Sequence, residues 1–123
     1  MPKPRIPAAD GRDAVLRALA TQEEREVVAM AVRYLLQVLG DIAPGNSVEV
    51  RVPPFGAVQV IEGPGHTRGT PPNVVETDAL TWLEIAAGSI EWAVALSEGR
   101  ISASGSRADL AAYLPLAWQR DVE

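Results

Sequence analysis

The chain contains no cysteine and a single histidine, His66. The first absence excludes a disulfide framework, a thiolate nucleophile, a Cys-x-x-Cys redox pair and any cysteine-ligated zinc. The second leaves no histidine cluster for a metal, so neither metal nor cofactor is expected. Aromatic residues are also scarce: three Trp, two Tyr and one Phe in 123 positions, against 19 alanines. A core here has to be built from Val, Leu, Ile and Ala. The longest unbroken apolar run, Val27 to Val32, covers six residues, far short of the roughly 20 that span a bilayer. The opening Met1-Pro-Lys-Pro-Arg-Ile-Pro has no apolar stretch of the signal-peptide kind. The closing Asp121-Val122-Glu123 carries no lipidation or peroxisomal signal. A cytoplasmic protein without an integral membrane segment is the expectation.

Basic charge is in short supply too, with 11 Lys and Arg against 16 Asp and Glu. Between Asn73 and Gly99 stand Glu76, Asp78, Glu84, Glu91 and Glu98 and no base at all, so this segment holds the whole net charge of −5. Nothing resembles a basic footprint for nucleic acid or a polybasic membrane anchor. The simplest reading of the acidic segment is the solvated face of two helices; the sharper one is a docking face for a basic partner protein.

What is present fits one domain: an extended arm at 1–8, interrupted by three prolines, and a single domain over 9–123. Asp10 and Asp13 open a short helix with Val15, Leu16 and Leu19 as its apolar stripe. Thr21 and Glu24 have capping-box spacing and open a longer helix, with Val27, Ala31, Tyr34, Leu35, Val38 and Ile42 on one side. Pro44-Gly45 ends it. The period then falls to two: Val48, Val50 and Val52 alternate with Glu49 and Arg51, and Pro53-Pro54-Phe55-Gly56 turns into a second strand at Ala57–Ile61. Residues 62–72 form a Gly- and Pro-rich loop, long for a compact domain. A short strand at Asn73–Glu76 precedes a helix capped by Thr77 or Asp78, carrying Leu80, Leu83 and Ala87 on one face to Gly88. A short helix at Glu91–Ser97, a strand in which Ile101 and Ala103 alternate with Arg100, Ser102 and Ser104, and a closing helix, Arg107–Leu114, complete the order. Grouped strands with helices around them read as α+β.

The ordered elements from Asn73 onward resemble the C-terminal half of the sterol carrier protein domain. They are Val75-Glu76-Thr77-Asp78, Leu80, Trp82-Leu83, Gly88-Ser89-Ile90, Ala95-Leu96, the run Glu98-Gly99-Arg100-Ile101-Ser102-Ala103-Ser104-Gly105, and a terminal helix with Leu110 and Leu114. With the Pro-Pro-Phe-Gly-Ala-Val hairpin included, the chain is similar to a small bacterial (actinobacterial) branch of that superfamily, over about residues 47–116. The resemblance implies a sterol-carrier-like, about five-stranded antiparallel or mixed sheet with helices mainly on one face. It also implies an apolar tunnel between them for fatty acyl chains, acyl-CoA, sterols or phospholipids. The loop at 62–72 stands where longer members continue a strand, a departure that points to a smaller sheet and a shorter tunnel.

Amphipathic phase and the resemblance together nominate the wall of that cavity: Phe55, Val58, Trp82, Leu83, Trp92, Leu96, Tyr113 and Leu114. Aromatic faces suit acyl chains and sterol rings, although the same residues would fill an ordinary core. Trp118, after Pro115, is positioned to cover a cavity, a neighbouring subunit or the protein's own surface. His66 and Arg68, in the Gly-rich loop, are the candidates for an anionic headgroup, against the plainer reading of a solvated surface loop. Catalysis finds no support. Ser104-Gly105-Ser106 lacks nucleophile-elbow spacing, one histidine serves no triad, and the metal-binding helical domain of mycothiol-dependent maleylpyruvate isomerases needs several. The expectation is therefore a non-catalytic, carrier-type binding domain for a hydrophobic, lipid-like small molecule. The alternative is an accessory or protein-interaction domain with a filled core, related to the sterol-carrier-like domains that accompany those isomerases, with a protein partner or a second copy in a homodimer.

Overall fold

The computed structural model describes residues 4–63 and 73–119. His66 and Arg68 lie outside these residues. Four strands form one mixed sheet: β1 (Val48–Val52), β2 (Gly56–Val60), β3 (Asn73–Thr77) and β4 (Ile101–Ser104), in spatial order β2-β1-β3-β4. β1 and β2 make the antiparallel hairpin that the turn residues predict, with Val50 opposite Val58. β3 lies parallel to β1, and β4 closes the other edge antiparallel to β3. Among the described residues the sheet thus has four strands, not about five.

Alternation fixes which face of the sheet is covered. Val48, Val50, Val52, Val60, Val75 and Ile101 are buried on one side, whereas Gln59, Glu76 and Ser102 on the other are exposed. The helices α1 (Ala8–Ala20), α2 (Arg25–Ile42), α3 (Ala79–Ala87) and α4 (Trp92–Ser97) complete the fold. α2 packs on both α1 and β2, α3 packs on α1 and α2, and α4 packs on α3 and β4.

Local detail departs from sequence expectation in four places. α1 starts at Ala8, and its buried face is Gly11, Ala14, Val15 and Ala18, leaving Leu16 62% exposed. The close approach of α2 demands small residues there: a Cβ on Gly11 would overlap the Tyr34 ring. The Thr21–Glu24 capping box does not form. Glu24 occupies the N-cap of α2, but its carboxylate accepts hydrogen bonds from Arg17 at 3.1 and 3.2 Å instead of capping. On α3, Leu80 points to solvent, while Trp82 and Leu83 take the core.

The largest departure is the closing helix at 107–114, which is absent; only a 3-10 turn, η1 (Ala111–Tyr113), remains. Ala108 and Leu110 are both buried. Two residues apart on a helix they would lie about 200° apart around the axis, so their joint burial favours irregular chain. Arg107 N–H donates to Asn73 Oδ1 (2.9 Å), and Asp109 Oδ1 accepts from Ala111 N–H (2.8 Å), the local side-chain bonding that competes with helix. Leu116 N–H then donates to Ala86 O at 2.9 Å, tying the segment to α3.

Candidate functional site

Among the described residues, the core between helices and sheet is filled. A side chain bordering a void large enough for water keeps surface that water can touch; Trp82, Leu83, Leu35, Leu39, Val50 and Val60 keep none. Trp82 is fixed further by its indole N–H, which donates to Val32 O at 3.3 Å.

The eight residues nominated as a cavity wall therefore do not share one cavity. Trp82 and Leu83 belong to the core. Phe55 lies half-buried in a surface cleft near the hairpin turn, with the Arg25 guanidinium 5.0 Å from its ring centroid, a cation–π contact. Trp92 and Leu114 do come together, lining a cleft of about 430 Å³ with Ile85, Ile90 and Pro115. Val58 and Tyr113 are half-buried against the core, and Leu96 is 40% exposed. Trp118 is buried, and its indole N–H has no hydrogen-bond partner among the described residues.

The acidic segment is less uniform than its sequence. Asp78 caps α3, its Oδ1 accepting from Thr81 N–H at 2.8 Å. Arg100, from the start of β4, pairs with Glu84 and donates to Thr81 Oγ1 (3.1 Å). The hydrogen bond to Glu84 holds the Arg100 guanidinium above its ordinary value. One base from outside the segment thus stands among its acids.

A mainly apolar opening lies elsewhere, in a groove of about 600 Å³ between the N-terminal arm and the C-terminal half of α2. Arm and first helical turn contribute Arg5, Ile6, Pro7 and Ala8; α2 contributes Tyr34, Gln37, Val38, Asp41 and Ile42; Ala117 joins from the C-terminal segment. The α2 residues fall at three- and four-residue steps, as one helical face requires. Proline at position 7 helps to keep the arm extended before α1 begins.

Two polar devices hold the arm in place. The Gln37 amide pairs with the backbone of Ile6, accepting its N–H (2.9 Å) and donating to its carbonyl (3.0 Å). The Arg5 guanidinium meets Asp41 in a two-point pair, Nη1 to Oδ1 at 3.1 Å and Nη2 to Oδ2 at 2.6 Å. That hydrogen bond, and then the Coulomb attraction, hold the Arg5 guanidinium above its ordinary value. The pair is solvent-exposed on both sides, so it orients the arm more than it stabilises the fold. The three- and four-residue spacing places Tyr34, Val38 and Ile42 on the apolar stripe of α2 but does not say which of them the rest of the fold covers. The stripe outlasts the core at its C-terminal end, where Ile42 is half exposed.

Among the described residues, no group of three or more acidic or histidine side chains is placed to hold a metal ion, and no helix is long and apolar enough to cross a membrane. The family model described as bacterial SCP ortholog matches residues 24–116. A comparison with curated proteins finds no match.

Proposed function

We propose, for a chain that belongs to the family of bacterial SCP orthologs, a non-catalytic, carrier-type role in which a hydrophobic, lipid-like small molecule sits in the groove between the arm and α2. The observation that carries this reading is the groove's size and lining. Its volume of about 600 Å³ falls in the range of small-molecule sites, roughly 300–1,000 Å³. Its unpartnered surface is mainly the hydrocarbon of Ile6, Pro7, Val38 and Ile42. Each methylene buried there contributes about 0.8 kcal/mol, less the cost of immobilising the ligand.

Native mass spectrometry of the purified protein tests the role, and titration with the neutral fluorescent probe N-phenyl-1-naphthylamine tests the site. Ile42 lines the groove while half exposed, so Ile42→Glu should leave the fold intact. It places a carboxylate against bound hydrocarbon and should weaken probe binding by about tenfold or more. Unchanged binding in a folded Ile42→Glu protein removes the groove as the site.

The filled interior favours a second reading, an accessory domain whose partner is a protein or a second copy of the chain. It predicts no co-purified lipid and, for self-association, a molar mass by light scattering that rises with concentration.

A further inference from the structure

We propose that the groove selects an uncharged amphiphile with a hydroxyl head, such as a long-chain alcohol, over the matching carboxylate. The reason is that Arg5 and Asp41 cancel each other in its lining while the Tyr34 hydroxyl makes no hydrogen bond among the described residues. The proposal rests on the reading of the groove as the ligand site and adds the chemistry of the head.

The polar groups of the lining decide the class. Both functions of the Gln37 amide are committed to Ile6. The forked face of Arg5 is committed to Asp41 through two nitrogens and two oxygens. A carboxylate head drawn toward Arg5 meets the Asp41 carboxylate beside it, and like charges at that range repel. Displacing Asp41 would exchange one two-point pair for another, with no gain to set against the dehydration of the incoming anion. Tyr34 is the remaining polar side chain of the lining, and it has no hydrogen-bond partner among the described residues. A phenol both donates and accepts, which matches an alcohol. The same hydroxyl offers a carboxylate one neutral hydrogen bond, too little to hold a charge leaving water.

Calorimetric titration with 1-decanol and with decanoate, at about pH 8 where the acid is ionised, tests this on the whole chain. Decanol should bind the native protein about tenfold or more tightly than decanoate. Asp41→Asn removes the competing charge and frees the Arg5 fork, so decanoate should gain about tenfold relative to decanol. The double variant Arg5→Gln/Asp41→Asn is neutral again and should restore the native order. Tyr34→Phe keeps the ring and should weaken decanol severalfold, by about one hydrogen bond, and so narrow its preference over decanoate. Decanoate binding the native protein as well as decanol overturns the selection while leaving the groove as a site, and so does an Asp41→Asn variant with no gain for decanoate. Failure of both ligands to bind any folded variant overturns the groove reading itself.

Discussion

At the residue scale, the contact between Gly11 and Tyr34 sets the shape of the candidate site. Glycine in the interior of a helix costs roughly 0.5–1 kcal/mol relative to alanine, yet α1 carries one where the Tyr34 ring lies against its backbone. The absent Cβ lets α1 and α2 approach closely, and it holds Tyr34 at the wall of the groove. Gly11→Ala should therefore lower stability by about 1–3 kcal/mol through overpacking, despite the better helix propensity of alanine. A thermal melt several degrees lower is the expected result; an unchanged or higher melting temperature would show that the ring moves aside without cost. This glycine is visible in the sequence, but its reason is not. Nothing local to Asp10-Gly11-Arg12 says that a ring from 23 positions downstream will meet it.

At the scale of elements, the strands and the capped helix α3 follow from local chemistry. Asp78 at the N-cap of α3 bonds both Thr81 N–H (2.8 Å) and Thr81 Oγ1 (3.0 Å), and Gly88 ends the helix at φ +88°, a region that glycine enters freely. Asp78→Ala should cost about 1 kcal/mol. It should also loosen Thr81, which receives the Arg100 Nε–H, so hydrogen exchange at the first turn of α3 should speed up more than elsewhere. Uniform exchange across the chain would remove the cap from this role. The closing segment is the counterexample. Residues Arg107–Leu114 have acceptable helix propensity and a well-placed Ser106, yet tertiary burial of Ala108 and Leu110, together with the Asp109 turn, overrides them. Propensity is a weak prior wherever two buried side chains demand a different period.

At the scale of the whole molecule, the filled layer between sheet and helices separates stability from binding. Leu83 has no accessible surface, and Leu83→Ala should destabilise the protein by about 2–5 kcal/mol, depending on how far the site collapses. If the ligand sits in the groove, the same variant should retain its affinity for the neutral probe at temperatures where it stays folded. A probe affinity that falls with Leu83→Ala and not with Ile42→Glu would return the ligand to the interior, where the family resemblance places it. Charge separates in the same way. The acidic run from Asn73 to Gly99 is a fact of sequence, but Arg100 pairs with Glu84 across the fold, and Asp78 is used as a cap. The segment is not one uninterrupted negative surface.

The sequence by itself determined the α+β class, the hairpin, the long amphipathic helix, the glycine stop of α3 and the family. Each rests on a period, a turn residue or an ordered motif that acts within a few residues. The tertiary structure decided the number of strands in the sheet, the loss of the closing helix, the burial of Trp82 and Leu83, and the position of the groove. These outcomes depend on partners distant in the chain: Arg5 with Asp41, Gln37 with Ile6, Gly11 with Tyr34, Trp82 with Val32. An apolar stripe records that a helix face is to be covered. Only the packing of the remaining elements settles whether protein covers all of it, and at Val38 and Ile42 they leave part of it open.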